Sequence, residues 1–199
     1  MSLTDRRIVI TGGGTGIGFA TAELAAARGA SLVLLGRRES KLRAAAESIG
    51  PAASYHVLDV TDGEALKRVF GSLGSIDHLV TCAAGITIAP FAELPEAAFR
   101  DFFEVKFWGQ YRSIRAALPR LSRDGSIVLL SGYLYRKPCA GFSAFAAVNA
   151  DAPSRKPRAV PPKPPMSSAS IINSKESAEI RTPAPKAMTP AMTRTDRLT

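Results

Sequence analysis

The chain has 199 residues and a formal net charge of +9. This length accommodates one domain, or one domain with an extension. Its two cysteines, Cys82 and Cys139, are too few for a disulfide framework or a cysteine-based metal site, and we expect no bound metal.

Much of the positive charge lies in residues 151–199. This segment holds nine Lys and Arg against four Asp and Glu, nine of the fourteen prolines, and no Phe, Tyr or Trp. Such a composition does not bury enough apolar surface to offset the entropy of ordering. The sequence therefore predicts a folded unit over 1–150 and a basic, mostly disordered, Pro-rich tail over 151–199. Because no aromatic residues interleave the charges, the tail favours a solvated extension over a nucleic-acid partner.

The first residues lack a secretory pattern, since Asp5, Arg6 and Arg7 come almost at once. No apolar run along the chain reaches the length that a bilayer crossing needs. We therefore expect a cytoplasmic protein without a membrane partner.

Apolar strand patterns alternate with helical patterns along the first 150 residues. Strands are predicted over 7–11, 31–35, 55–58, 76–82 and 126–131. Helices are predicted over 16–28, 39–49, 62–73 and 95–118, with a further one from about 141. Buried strands separated by helices predict an α/β fold with a doubly wound parallel sheet of the Rossmann type.

Two details of this pattern extend the prediction. Spacing in the first helix indicates that its core face carries Ile17, Ala20, Leu24 and Ala27. The last helical pattern breaks abruptly after Ala150, where prolines exclude a continuing helix. An altered reading frame or a truncated product would produce such a break, so we expect the C-terminal part of the sheet to be incomplete.

The most informative motif is the glycine-rich turn from Thr11 to Gly18, which follows the first predicted strand and opens the first predicted helix. Such a turn directs backbone N–H groups and a positive helix end toward one point, which suits a pyrophosphate. A tight strand-to-helix connection without a ligand is the alternative interpretation of this motif alone.

The spacing Thr-Gly-x-x-x-Gly-x-Gly resembles the nucleotide turn of the short-chain dehydrogenase/reductase family. Further family features follow in order at Asp59-Val60, at Ala83-Ala84-Gly85 and in the segment 125–128, so that the resemblance covers about residues 4–150. It implies a dinucleotide-binding domain and an oxidoreductase acting on a carbonyl or alcohol. The implied cofactor-binding residues are Gly12, Gly14, Thr15, Gly16, Ile17, Gly18, Arg37, Arg38, Asp59, Val60, Ala83, Ala84 and Gly85.

The end of the second predicted strand indicates which dinucleotide is bound. A carboxylate there would accept a hydrogen bond from a ribose 2′-hydroxyl and favour NAD(H), but the chain has Arg37 and Arg38 instead. Guanidinium groups pair well with phosphate, and in similar family members an arginine here favours NADP(H). We therefore predict NADP(H). NAD(H) stays the alternative, because many NADP-preferring relatives carry a basic residue at the position of Thr15.

The catalytic positions of the family are all changed. The Tyr-x-x-x-Lys motif falls on Phe145 and Asn149, the family serine position on Gly132, and the family asparagine position on Lys106. Phe145 has no hydroxyl to donate, and Asn149 has no charge with which to lower the pKa of a neighbour.

Four residues are candidate substitutes for the missing groups: Ser131, Tyr133, Tyr135 and Lys106. A structural role is favoured for each. Ser131 would point away from the site on a regular strand and hydrogen-bond its own turn, and the tyrosines would cover the sheet edge. Lys106 would extend its amine along the helix surface to water.

The sequence leaves three functions open. The chain is an NADP(H)-dependent oxidoreductase with substitute catalytic groups, a nucleotide-binding protein without turnover that acts through partner contacts, or an incomplete gene product. By resemblance, the helix over 96–118 would form a homodimer or tetramer interface, with its aromatic residues divided between that surface and the core.

Overall fold

The computed structural model describes residues 2–137, 139–150, 170–173 and 176–179; for Tyr135, Ala150 and the last two segments it describes the backbone alone. The strands are β1 (Arg7–Thr11), β2 (Ser31–Gly36), β3 (Ala53–Val57), β4 (Ile76–Thr81), β5 (Leu121–Leu129), β6 (Ser170–Asn173) and β7 (Glu176–Glu179). The helices are α1 (Gly16–Ala26), α2 (Glu39–Ile49), α3 (Gly63–Ser72), α4 (Glu96–Phe103), α5 (Gly109–Ala117) and α6 (Ser143–Ala150).

The strands form one sheet in the order β3-β2-β1-β4-β5-β6-β7. The neighbours from β3 to β6 are parallel, and β7 is antiparallel to β6. The strand order reverses beside β1, which is the point where doubly wound sheets bind ligands. The predicted doubly wound parallel sheet is therefore confirmed. The strands β6 and β7 lie within the segment for which the sequence indicates no folded structure, and the other residues of 151–199 lie outside the described part.

Alternation along the strands places a core on each face of the sheet. On β1, Ile8 and Ile10 pack with α1 and α2, whereas Val9 points to the opposite face and packs with α3 and α5. Successive side chains of a strand point to opposite faces, so a continuous apolar strand needs helices on both sides. The apolar runs in the sequence follow from this requirement.

The core face predicted for α1 is wrong. Ile17, Ala20, Leu24 and Ala27 are exposed, Ile17 by 62% and Leu24 by 55%. The buried residues of the helix are Gly18, Ala22 and Ala25. Small side chains let the axis of α1 approach the sheet closely, so this helix buries its least bulky face rather than its most apolar one.

The long helix predicted over 95–118 is continuous but not regular. A π-helical turn over Glu104–Trp108 joins α4 to α5. Such turns are frequent at functional sites, and this one carries Lys106. The helical segments α4 and α6 pack together through Phe102, Ala144 and Val148.

One ion pair ties the start of β1 to β4. The carboxylate of Asp77 accepts hydrogen bonds from the Arg6 guanidinium at 2.9 Å, the Arg7 N–H at 2.9 Å and the Ser122 hydroxyl at 3.1 Å. Burial alone would raise the pKa of this carboxyl, but the three donors and the charge of Arg6 hold it below its ordinary value. The ionised form is therefore stabilised in the folded state.

We expect Asp77→Asn to lower the free energy of unfolding at pH 7 by about 1–2 kcal/mol. Because folding lowers this pKa, the stabilisation is present above the unfolded-state pKa of about 3.9 and is lost as pH falls through the folded-state value. The difference between the two proteins in urea unfolding should therefore shrink below about pH 4. Asp101→Asn, at an exposed position of α4, is the control; an equal loss of stability in both variants would contradict the prediction.

Candidate nucleotide-binding and catalytic site

The glycine-rich turn connects β1 to α1 through tight backbone contacts. The N–H of Gly12 donates to Leu35 O at 2.7 Å, and Gly12 has a φ of 71°. A Cβ on Gly12 would lie 2.8 Å from the backbone of Ala83, and one on Gly18 would lie 2.3 Å from Gly12 O. Glycine is therefore required at both positions, because neither backbone can move away.

The first turn of α1 is open to an anionic ligand. Thr15 stands at the N-cap, but its side chain makes no capping hydrogen bond. The first N–H groups of a helix have no intrahelical partner and carry the positive end of its dipole. A phosphate group is the ligand that such a helix end suits.

A cavity of about 380 Å³ lies at this end of the sheet, between the glycine turn and the ends of β2, β3 and β4. It is lined by every residue that the resemblance implied: Gly12, Gly14, Thr15, Gly16, Ile17, Gly18, Arg37, Arg38, Asp59, Val60, Ala83, Ala84 and Gly85. The structure thus brings together residues from four strand ends. Ile17 lines this cavity, which accounts for its exposure on α1.

The sequence analysis missed several lining residues: Gly36, Lys41, Leu42, Leu58, Cys82, Ile86, Val105 and Leu130. Lys41 could have been identified from the sequence as a lining residue, since it lies one helical turn beyond Arg38 at the start of α2. Leu130 could also have been identified, because it directly follows β5 at the same edge of the sheet.

Cationic side chains surround the side of the cavity formed by β2 and α2. Arg37 forms an ion pair with Asp59 at 3.7 Å, and Nη2 of Arg38 donates to Thr15 Oγ1 at 3.4 Å. Oδ1 of Asp59 also accepts from the N–H and the hydroxyl of Thr61, at 2.9 Å each. Arg38 therefore brings a positive charge to Thr15, the position where a basic residue was missing from the sequence pattern.

Two of the changed catalytic positions, Gly132 and Asn149, lie in contact with each other. A Cβ on Gly132 would lie 2.7 Å from Asn149 Nδ2, so the carboxamide occupies the space that a larger side chain at 132 would need. Asn149 is 2% exposed, and its Oδ1 has no hydrogen-bond partner among the described residues. Phe145 is held in an aromatic cluster, with ring centroids 4.5 Å from Phe102 and 5.7 Å from Phe142.

We expect Gly132→Ala to lower the free energy of unfolding by about 1–3 kcal/mol, because the new methyl group meets the buried Asn149 carboxamide. Adding Asn149→Ala should recover part of this loss, since the second change removes the opposing atoms. A double-mutant cycle measured by urea unfolding tests the coupling. Additive effects of the two substitutions would contradict it.

Lys106 differs most from its expected position. It is 7% exposed, so the expected extension of its amine along the helix surface to water is wrong. Nζ of Lys106 donates to Leu130 O at 3.2 Å, and Gln110 Nε2 donates to the same oxygen at 3.2 Å. Burial lowers the pKa of Lys106, an effect that the nearby Cys82 thiol partly opposes. Burial in turn raises the pKa of Cys82 to about 11, so this thiol is neutral at pH 7.

The other candidate residues follow β5. Ser131 lies beyond the strand, and its buried Oγ has no hydrogen-bond partner within the described residues, so the expected bond to its own turn is absent there. Tyr133 is 63% exposed in a short 3₁₀ turn, Tyr133–Tyr135. The side chain of Tyr135 lies outside the described part.

A family model described as short chain dehydrogenase matches residues 6–150. The chain belongs to the short-chain dehydrogenase family. Members of this family use nicotinamide dinucleotides, NAD(H) or NADP(H), and the observed glycine turn, free helix end and cavity fit such a cofactor. The Rossmann-type sheet is the fold that the family shares with its solved members.

Individual relatives support the same assignment. The chain is 33% identical over 153 residues to 11-beta-hydroxysteroid dehydrogenase A of Sesamum indicum, covering 72% of this chain and 44% of the relative. It is 31% identical over 157 residues to sorbitol dehydrogenase of Cereibacter sphaeroides, covering 75% and 61% respectively. The chain therefore spans about half the length of these curated relatives.

A solved short-chain type dehydrogenase/reductase from Mycobacterium ulcerans superposes with a TM-score of 0.70 at 27% identity, covering 75% of this chain and 59% of that one. The region matched by the family model, residues 6–150, contains the glycine turn and the changed catalytic positions alike. Within the described residues of the chain, no helix combines the length and apolar character needed to cross a membrane.

Proposed function

We propose that this short-chain dehydrogenase binds NADP(H) and transfers hydride between that cofactor and a carbonyl or alcohol. The observation that carries the proposal is the set of three cations, Arg37, Arg38 and Lys41, along one side of the nucleotide cavity. The 2′-phosphate is the group that distinguishes NADP(H) from NAD(H). Guanidinium groups bind phosphate in bidentate geometry, and an ammonium adds a further charge.

The surroundings of these cations support a phosphate rather than a ribose hydroxyl as their partner. Asp59 is the acidic residue of the cavity lining, and its Oδ1 already accepts two hydrogen bonds from Thr61. Its ion pair with Arg37 is long, at 3.7 Å, and within the described residues the other donors of that guanidinium have no partner, so they can bind a ligand. NAD(H) would place a neutral hydroxyl beside these charges.

Calorimetric titration of the full chain tests the cofactor. We expect NADPH to bind at least tenfold more tightly than NADH, and 2′-phospho-ADP-ribose more tightly than ADP-ribose. The second pair isolates the phosphate, because neither molecule contains nicotinamide. Equal affinities within either pair would contradict NADP(H) specificity, and absence of binding by all four would contradict nucleotide binding itself.

Substrate class is tested by the consumption of NADPH with a panel of aldehydes and ketones. The relatives named above are a hydroxysteroid dehydrogenase and a sorbitol dehydrogenase, so the panel should contain both apolar ketones and ketoses. Reduction of at least one compound supports the oxidoreductase function.

A second candidate function is nucleotide binding without turnover. Phe145 favours it, because its ring packs against Phe102 and provides no hydroxyl where the family places its proton donor. NADPH binding together with no reduction across the carbonyl panel would support this candidate.

The helix over 96–118 is proposed as a contact surface for a second copy of the chain. Trp108 is 42% and Tyr111 45% exposed, and their rings are in edge contact at 5.6 Å. Neighbouring exposed aromatic residues are typical of interfaces. Sedimentation of the wild type and of Trp108→Glu tests this surface; identical monomeric behaviour would contradict it.

A further inference from the structure

Lys106 is a buried cation without an acidic partner in the described part of the chain. Its only described hydrogen bond goes to the Leu130 carbonyl, which leaves two of its three N–H groups free. A buried ammonium normally requires a counter-charge or several acceptors. An unpaired one beside a cavity is a candidate functional group with a physical reason for its position.

The amine of Lys106 contacts a residue that lines the nucleotide cavity. Its chain neighbour Val105 lines the cavity, as does Leu130, whose carbonyl it contacts. The π-helical turn over Glu104–Trp108 carries both Val105 and Lys106. Lys106 is not itself among the lining residues; its amine meets the cavity wall at the Leu130 carbonyl, on the α4–α5 side, where β4 and β5 end.

Other unsatisfied polar groups lie at the same end of β5. Ser131 Oγ and Asn149 Oδ1 are buried and lack hydrogen-bond partners among the described residues. Ser131 follows Leu130 directly, and the Asn149 carboxamide reaches Gly132. Buried polar atoms in native proteins normally have partners. The Lys106 ammonium, Ser131 Oγ and Asn149 Oδ1 thus all lie near the Leu130–Gly132 segment, and each can still bind a polar group of a ligand.

We propose that Lys106 is the proton donor of carbonyl reduction, in place of the hydroxyl that Phe145 lacks. This inference rests on the proposed oxidoreductase function. The carbonyl carbon accepts a hydride from the reduced nicotinamide, the C=O π bond breaks, and the oxygen takes a proton from the Lys106 ammonium. The products are the alcohol, the oxidised dinucleotide and a neutral amine, which regains its proton from solvent.

The electrostatics of this amine suit the role. Burial lowers the pKa of Lys106 from its ordinary value of 10.5, which makes the ammonium a stronger acid than a lysine in water. The titratable group that acts on it is Cys82, and this thiol is neutral at pH 7. Within the described residues no carboxylate is paired with this ammonium, and its own charge would stabilise negative charge that develops on the substrate oxygen.

Three variants at position 106 test the proposal. Lys106→Met removes the proton and the charge, Lys106→Gln keeps a polar side chain, and Lys106→Arg keeps the charge on a group that does not release its proton near neutral pH. We expect kcat to fall at least ~100-fold in all three, with the calorimetric Kd for NADPH changed less than about twofold. Lys67→Met, at an exposed residue of α3 paired with Glu64, is the control and should keep wild-type kcat.

The pH profile and lysine NMR supply independent measurements. Reduction needs the protonated amine, so wild-type kcat should fall as pH rises through the Lys106 pKa, below 10.5. In protein with labelled lysine side chains, the resonance missing from Lys106→Met should titrate with that same pKa. Thermal unfolding identifies any variant that fails to fold; Lys106→Arg and the NMR titration then carry the test.

The possible results separate this inference from the proposed function. A wild type that reduces carbonyls, with Lys106→Met and Lys106→Arg equally active, would overturn the proton donor and leave the oxidoreductase function intact. A Lys106 resonance that titrates at its ordinary value would also overturn it. A wild type that binds NADPH but reduces nothing would overturn the oxidoreductase function first.

Discussion

Gly18→Ala should abolish NADPH binding and lower the free energy of unfolding by about 3 kcal/mol or more, at the upper end of overpacking effects. A Cβ at this position would lie 2.3 Å from Gly12 O and 3.2 Å from the Cys82 side chain. The first of these contacts involves backbone that Leu35 holds in place by a hydrogen bond to Gly12 N–H. The new methyl group must therefore displace α1 from β1. Urea unfolding and calorimetric titration with NADPH measure the two effects.

Gly71→Ala is the matched control for this substitution. Gly71 lies near the end of α3, and a Cβ there would meet nothing within 4 Å. Alanine is favoured over glycine within a helix by roughly 0.5–1 kcal/mol, so this variant should be slightly more stable than the wild type. Equal free energies of unfolding and equal NADPH affinities for the two alanine variants would contradict the prediction that the close contact at Gly18 is required for folding and binding.

The double variant Arg37→Ala/Arg38→Ala should raise the Kd for NADPH by about 10- to 100-fold. The reason is that a hydrogen bond to a charged group such as a phosphate contributes about 1.5–3 kcal/mol to binding. The Kd for NADH should change by less than about threefold. The reason is that both guanidinium groups lie at the cavity beside β2, where the extra phosphate of NADP(H) is expected. Calorimetry with both cofactors gives the ratio.

Arg43→Ala controls for the general loss of positive charge. Arg43 lies on the same helix as Lys41 but does not line the cavity, and its guanidinium is paired with Glu39. This variant should bind NADPH with wild-type affinity. Equal weakening of NADPH and NADH in the double variant would indicate that the arginines support the pyrophosphate or the fold, and would contradict their selectivity for the 2′-phosphate.

The sequence predicted the sheet well because its physical signals are local. A continuous apolar run such as 31–35 predicts a strand that is buried on both faces of the sheet. The glycine-rich turn predicts the connection from β1 to α1. The face of α1 was predicted wrongly because hydrophobicity ranked Leu24 above Ala22. The actual face is decided by how closely α1 must approach β1, and no local pattern in the helix reports that distance.

Most of the nucleotide side of the site could be predicted because its residues lie in the turns that follow β1, β2, β3 and β4 or in the first turn of α1. The burial of Lys106 could not, because it depends on a π-helical turn and on the Leu130 carbonyl, which is 24 residues away in sequence. In the sequence, a lysine among aromatic residues on a helix is compatible with a surface position as well as with a buried one. Only the tertiary structure shows that the Lys106 amine lies at the end of β5 and not in water.

The contact between Gly132 and Asn149 also constrains how this protein can be engineered. A serine introduced at 132 would meet the Asn149 carboxamide, because its Cβ would lie 2.7 Å from Asn149 Nδ2. Substitutions at the two positions are therefore best designed together, since the side chain at 149 decides how much room is left at 132.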